Sequence, residues 1–237
     1  MSARRVALVA GGSSGIGLEI ARALLAEDHD VTIVGRRQER LERAVEELGA
    51  AVHAVGADLT DEAAVRDAVE AHADRFGRLD TLVNSAGYGG PRGPIEDLDV
   101  AQIDRILAAD LRATILLTRE CVPMLRASGA EHGRALVVNV TSVAARLGVE
   151  SVAAYSAAKG GVAAFGRALA ADLAGAGVQV TTLLPGYVDT PMSNWVPVER
   201  GEMLAPADLA EGVRLLLRVS PACHIAELRF ERRAGPV

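Results

Sequence analysis

The chain has 237 residues, half of them hydrophobic, which suits one α/β domain with a sizeable buried core. Its formal charge of −6 leaves no global basic field, so neither nucleic acid nor an anionic membrane is an expected partner. No apolar run approaches the roughly 20 residues of a membrane span, Met1–Arg5 leads into a strand without a signal-peptide pattern, and Cys121 and Cys223 form no disulfide framework. The expectation is a soluble, cytoplasmic protein with both thiols buried in packing.

Val6–Ala10 reads as a strand, followed by Gly11-Gly12-Ser13-Ser14-Gly15-Ile16-Gly17 and a helical pattern over Leu18–Leu25. Strand, glycine loop, helix is the order a dinucleotide site requires. The glycines let the backbone turn tightly and approach a pyrophosphate, and the helix's first amides stabilise its charge. A second strand, Val31–Val34, runs into Gly35-Arg36-Arg37. There an acid would hold the ribose hydroxyls of NAD, whereas arginine accommodates the 2′-phosphate of NADP. No acid occurs before Glu39, so NADP(H) is the expected cofactor. Gln38–Leu48 reads as a solvated helix and Ala51–Gly56 as a third strand ending in Asp58-Leu59. Thr60 is the expected N-cap of a helix over Asp61–Phe76. A fourth strand, Leu79–Val83, enters Asn84-Ser85-Ala86-Gly87 and a glycine/proline loop to Pro94, before a long helix over Val100–Arg126 that includes Asp110.

The fifth strand, Ala135–Val140, delivers Ser142 to a strand edge, and a helix over about Val152–Ala174 carries Tyr155 and Lys159. Four residues apart on a helix, these two share a face. A free tyrosine has a pKa of about 10, and a nearby ammonium is expected to pull it down. Tyr155 then becomes a candidate general acid or base, with Ser142 donating to a substrate oxygen. Lys159 is the only lysine among 25 lysine and arginine residues. A chain that uses arginine at every other such position keeps an ammonium where a compact, titratable charge is needed. Val178–Leu184 is a sixth strand stopping at Pro185-Gly186. The irregular segment 187–205, with the sole tryptophan Trp195, reads as a substrate lid. A helix over Pro206–Val219 and a strand over His224–Phe230 complete the chain. The five histidines lack metal-ligand spacing, so no metal is expected. This alternation predicts a doubly wound Rossmann fold: a mostly parallel seven-stranded sheet with helices on both faces, one domain over 1–237.

Taken together, these motifs resemble the short-chain dehydrogenase/reductase family in its single-domain branch, over nearly the whole chain. The resemblance rests on Gly11, Gly15 and Gly17, on Asp58, on Asn84 to Gly87, on Ser142, on Tyr155 with Lys159, and on Pro185-Gly186 followed by Thr190. It implies Tyr155 as acid/base, Ser142 as orienter of the substrate oxygen, and Lys159 as the residue that lowers the tyrosine pKa and holds the nicotinamide ribose. It implies that Gly11, Ser13, Ser14, Gly15, Ile16 and Gly17 hold the cofactor phosphates, with Arg36, Arg37, Asp58 and Leu59 at the adenosine end. Asn84, Ser85, Ala86 and Gly87 would support the ribose, and Pro185, Gly186, Val188 and Thr190 the nicotinamide end. Three positions depart from the family pattern: Ala10 where threonine is common, Ser85 where a second asparagine is common, and Asp110 where a catalytic-site asparagine stands. Asp110 keeps the backbone carbonyl of that asparagine, loses its amide donor and adds a charge.

The implied function is NADP(H)-dependent hydride transfer between nicotinamide and a carbonyl or secondary alcohol substrate, in a homo-oligomer of tetrameric form. Tyr187, Met192, Trp195 and Val196 suggest a partly apolar pocket, and Arg92 and Arg146 lie on segments able to meet an anionic group. The alternatives are a 3-oxoacyl thioester reductase and a non-catalytic NADP(H)-binding regulatory protein.

Overall fold

Runs such as Arg5–Ala10 and Ala135–Val140 carry apolar side chains at consecutive positions and are buried almost throughout. Strands of that kind need cover on both faces, which a parallel sheet with flanking helices provides. The structure, a computed structural model described over residues 4–235, contains seven strands. They are β1 (Arg5–Ala10), β2 (His29–Gly35), β3 (Val52–Gly56), β4 (Thr81–Asn84), β5 (Ala135–Val140), β6 (Val178–Pro185) and β7 (Glu227–Phe230). Their order is β3-β2-β1-β4-β5-β6-β7, and every pairing is parallel, where the sequence predicted a mostly parallel sheet. Of the N-terminal stretch expected to enter a strand directly, residues 1–3 lie outside the described residues; Arg5 opens β1.

Alternate residues of β1 face opposite layers. Ala7 and Val9 pack with α1 (Gly15–Ala26), α2 (Gln38–Leu48) and α7 (Pro206–Arg218), through Ile20, Leu24, Leu41 and Val213. Leu8 and Ala10 pack with α3 (Glu62–Phe76), α5 (Ala113–His132) and α6 (Ala153–Leu173), through Val65, Leu117, Leu125 and Leu173. No helix among the described residues is long and apolar enough to cross a membrane. At the amino edge of the sheet, Asp80 accepts from the Val6 amide at 2.8 Å and from Arg5 and Arg78, tying β1 to β4 far from the cleft. His72, fully buried on α3, meets Thr32 Oγ1 of β2 at 2.7 Å through Nδ1 and the Arg78 carbonyl at 3.0 Å through Nε2. A carbonyl only accepts, so Nε2 carries the proton and Nδ1 accepts from the threonine. Burial holds the His72 pKa below its ordinary value.

Three local expectations are corrected. Asp61, not Thr60, caps α3, its carboxylate accepting from the Ala63 amide at 2.9 Å, while Thr60 donates to Asp58. The single helix expected over Val100–Arg126 is α4 (Val100–Leu107), a π-helical turn at Ala108–Arg112, and then α5, which runs on to His132. Cys121 is buried as expected, but Cys223 is only half-buried.

The chain winds outward from β1 in one direction to β2 and β3, and from β4 in the other to β5, β6 and β7. The crevice at the carboxyl ends of β1 and β4 is therefore the place where a doubly wound sheet takes its ligand. The segment 187–205 hangs over this edge. Its ends are joined by a parallel bridge between Val188 and Leu204, with the Asp189 amide donating to the Leu204 carbonyl at 2.8 Å and the Leu204 amide to the Tyr187 carbonyl at 2.9 Å.

Candidate active site

The crevice holds a cleft of about 520 Å³ that runs from the glycine loop to the segment 187–205. At one end β1 leaves the sheet through Gly11, whose φ of +75° suits glycine and whose missing side chain admits the backbone of Ser85 and Ala86; a Cβ would stand 2.8 Å from both. Gly17 is needed for a different contact, since a Cβ there would strike the Gly11 carbonyl. Ser14 caps α1 without a side-chain hydrogen bond, so its first-turn amides are left for a ligand. Gly11, Ser13, Ser14, Gly15 and Ile16 line the cleft, whereas Gly17 packs behind it. A close-approach cradle with open amides at a helix start fits a dinucleotide pyrophosphate.

Beside it, Arg36 and Arg37 line the cleft together with Arg40, which sequence reasoning left on a solvated helix. The signal was available: Arg40 lies three residues after Arg37 and four after Arg36, on the same side of the first turn of α2. Arg36 stands 3.8 Å from the Asp58 carboxylate. Burial acts to raise the Asp58 pKa, but hydrogen bonds from Thr60 and the Arg36 guanidinium outweigh it and hold the carboxyl below its usual range. Leu59 and Thr60 line the cleft, and the Asp58 carboxylate, half-exposed, sits beside Arg36. Ser85, Ala86 and Gly87 also line the cleft. Asn84 does not: its buried Nδ2 donates to Thr118 Oγ1 at 3.0 Å and Asn139 Oδ1 at 2.9 Å, bracing β4 and β5.

At the other end the cleft meets Ser142, Tyr155 and Lys159. Ser142 stands two residues past the end of β5, capping the 3-10 turn Val143–Ala145, and is held by the Ala144 amide, which donates to its Oγ at 3.1 Å. It acts to lower the pKa of the Tyr155 phenol. One turn along α6, Lys159 Nζ is 5.7 Å from the Tyr155 ring centre, 3.5 Å from the Val140 carbonyl and 3.3 Å from Asp110 Oδ1. Asp110 projects from the π-helical turn and is fully buried; its carboxylate also accepts from the Tyr88 and Gly89 amides at 3.2 Å. A single widened turn re-aims one side chain without ending the helix, and such turns are frequent at functional sites. Gly87 leaves room for this pairing, because a Cβ would come within 2.7 Å of Asp110 Oδ1.

The electrostatic expectation for Tyr155 is corrected. Burial raises its pKa above the ordinary value; Lys159 pulls it down as the spacing predicted, but Asp110 pushes it up again, and the net direction in the protein alone is upward. Lys159 is raised as well: burial acts to lower its pKa, and the Asp110 carboxylate more than offsets this. The lysine is therefore firmly protonated.

Pro185, Gly186, Val188 and Thr190 line the cleft, as do Tyr187, Met192 and Trp195, while Val196 is buried outside its lining. Of the two arginines picked out for an anion, Arg92 lines the cleft, whereas Arg146 is paired with Glu227 outside it.

The fold and this constellation define a nicotinamide-dependent oxidoreductase, and the chain belongs to the short-chain dehydrogenase family, which it matches over residues 5–200. It is similar to cis-4-hydroxycyclohexanecarboxylate dehydrogenase of Sinomonas cyclohexanicum, 34% identical over 90% of this chain and 89% of that protein. Among solved structures it is similar to the 3-ketoacyl-(acyl-carrier-protein) reductase of Brucella melitensis complexed with NADH, with a TM-score of 0.89 and 34% identity over 95% of this chain and 96% of the other. It is also similar to a variant of actinorhodin polyketide ketoreductase with NADPH, with a TM-score of 0.86 and 30% identity over 97% of each chain. The protein is thus an oxidoreductase of alcohol and carbonyl groups using NAD(H) or NADP(H); its relatives differ in which.

Proposed function

We propose that the chain is an NADP(H)-dependent reductase or dehydrogenase that transfers hydride between nicotinamide and a carbonyl/secondary alcohol pair, with segment 187–205 as its substrate lid and 1–237 as one domain. The observation that carries this reading is the continuity of one cleft from Arg36, Arg37 and Arg40 past the glycine loop to Ser142, Tyr155 and Lys159. Three guanidiniums at the adenosine end suit a 2′-phosphate.

When bound, the cofactor supplies or accepts the hydride. In reduction, the carbonyl oxygen accepts hydrogen bonds from the Ser142 hydroxyl and the Tyr155 phenol. As the carbon gains two electrons with the hydride, Tyr155 gives its proton to the oxygen, and the phenolate left behind is stabilised by the Lys159 ammonium. Asp110 holds that ammonium in place and keeps it charged. Oxidation runs the same steps in reverse, so a raised tyrosine pKa favours the protonated form needed for reduction.

A 3-oxoacyl thioester substrate is the second reading, supported by the similarity to the Brucella reductase. A regulatory role without turnover would leave the Ser142, Tyr155 and Lys159 arrangement without a use. A panel of ketones, oxo-acids and acyl thioesters tested for NADPH and NADH oxidation separates these readings; no turnover with any of them would overturn the enzymatic one. We further propose a cytoplasmic homotetramer, supported by the family resemblance, by Ile115 exposed on α5 and by the small exposed residues Ala157 and Ala164 on α6. Light scattering returning a monomeric mass would overturn the tetramer.

A further inference from the structure

The loop that leaves β4 carries Arg92 into the cleft, on the same wall as Tyr155, Tyr187 and Trp195. Its guanidinium lies over the Trp195 indole, which in turn meets the Tyr187 ring edge-on at 5.8 Å and is fixed by a 2.9 Å hydrogen bond from its Nε1 to the Met192 carbonyl. On the lid side, Arg146 is matched with Glu227 and Arg200 with Asp189, and at the far end Arg36 is matched with Asp58, where Arg37 and Arg40 also line the cleft. Among the described residues Arg92 has no such carboxylate, and the groups that favour its charge are the phenols of Tyr187 and Tyr155. Partial burial pushes its pKa down to about 10, so it is still cationic at neutral pH.

A half-buried guanidinium held against an indole keeps a planar fork of donors for the cleft. Desolvation makes it costly to leave unpaired and correspondingly strong toward an anion that enters the cleft. The net charge of the protein is negative, so an anionic substrate needs a local cation to hold it. The surrounding wall is apolar and aromatic, with Val149, Val152 and Met192 facing the cleft. The site is thus built for a carbon body with one planar anionic group, held at Arg92 while its carbonyl or hydroxyl meets Tyr155.

We propose that Arg92 docks a carboxylate carried by the substrate, so that the chain acts on hydroxy- and oxo-acids in preference to their neutral counterparts. This rests on the oxidoreductase reading above and adds the substrate class to it. Arg92 acts as a specificity residue; it takes no part in the proton transfer.

The test compares oxo-acids of increasing length, such as 3-oxobutanoate, 4-oxopentanoate and 5-oxohexanoate, with their methyl esters, and includes acetoacetyl-pantetheine, in the parent protein, Arg92→Met and Arg92→Lys. Arg92→Met keeps an apolar stem against Trp195 and removes the charge. The parent should favour at least one acid over its ester by about 10- to 100-fold in kcat/KM, the size of one charge-assisted interaction. In Arg92→Met that ratio should collapse to within about threefold, mostly through KM, and Arg92→Lys should retain part of it. Equal use of acid and ester by the parent, an acid preference that survives Arg92→Met, or an Arg92 dependence confined to acetoacetyl-pantetheine would each overturn the proposal. Binding of the non-reducible pentanoate to the NADPH-loaded protein, followed by ligand-observed NMR, gives a readout that needs no turnover. If no carbonyl is reduced but Arg92→Met weakens pentanoate at least tenfold, the activity reading fails and the carboxylate site stands. If pentanoate binds both proteins equally, or if Arg92→Met weakens NADPH as much as pentanoate, the carboxylate site is wrong.

Discussion

Asp110 and Lys159, 49 positions apart in the chain, form a buried ion pair at 3.3 Å, the carboxylate fully buried and the lysine side chain 7% exposed. The recorded partners of both carboxylate oxygens are donors: Lys159 Nζ and the amides of Tyr88 and Gly89. An asparagine would turn its own NH2 toward one of them. Aspartate at this position is thus accommodated by its surroundings and adds a negative charge beside the Tyr155–Lys159 pair.

The first prediction follows from that charge. Asp110 raises the Tyr155 pKa, so Asp110→Asn should move the phenolate-dependent limb of the alcohol-oxidation profile to lower pH. The same substitution should lower stability by about 1–3 kcal/mol, because one donor then faces another. A kcat–pH profile for oxidation and urea unfolding check both effects. A limb that stays in place or moves to higher pH would show that the carboxylate does not act on the tyrosine.

Lys159→Arg keeps the positive charge but should not keep the activity. The ammonium sits between Asp110, the Val140 carbonyl at 3.5 Å and the space Gly87 leaves open, where a Cβ would lie 3.4 Å from Nζ. A guanidinium is larger and presents a fixed fork, so it cannot take the place of the compact ammonium between these groups. The loss of kcat at saturating cofactor should be about 10² to 10⁴, the range of general acid/base catalysis, with the circular dichroism spectrum intact. A folded variant within about threefold of the parent contradicts a need for the compact ammonium at this position.

Arg36→Asp should reduce the preference for NADPH over NADH by about one to two powers of ten, the worth of one charge-assisted contact. It also brings a second carboxylate toward Asp58, now 3.8 Å from the Arg36 guanidinium, and weakens the pocket for any phosphate. Arg40→Ala should shift the same ratio in the same direction. Dissociation constants for both cofactors from fluorescence titration supply the comparison; equal affinities in the parent would count against the 2′-phosphate reading.

His72 makes stability depend on acid. Its folded pKa is depressed by burial, so protonation favours the unfolded chain. The contribution is intact above the unfolded value of about 6.5, and is lost as pH falls from there toward the folded pKa. His29, also held low by burial, acts in the same direction. The Tm should therefore fall between pH 7 and pH 5, and His72→Ala should flatten part of that slope. At pH 7 the variant should cost about 2 kcal/mol through its cavity and the polar partners left on Thr32 and Arg78. An unchanged slope in a folded variant would remove His72 from the account.

What the sequence revealed was whatever depends on neighbours along the chain. The glycine loop, the strand runs and the helical spacing of Tyr155 and Lys159 are local patterns, and the structure brings them to one cleft. The direction of the Tyr155 pKa was misread because it depends on burial depth and on a carboxylate from another helix, neither of which leaves a periodic trace. Arg92 and Arg146 look alike as residues; only folding pairs Arg146 with Glu227 of β7 and leaves Arg92 facing the cleft. Thr60 and Asp61 are both competent caps, and the choice between them was made by Asp58, which engages the threonine. The π-helical turn escaped notice because one widened turn shifts the register of a helix without interrupting its apolar pattern.

The bridge between Val188 and Leu204 brings the two ends of residues 189–203 together at the rim of the sheet. For a loop closed in this way, added length costs little, about 0.6 kcal/mol per doubling. The segment is consequently a cassette: its sequence can be exchanged beyond the bridge while β6, α7 and the Ser142, Tyr155 and Lys159 constellation stay as they are. Descendants of this chain can diverge in what they accept without first redesigning how they fold.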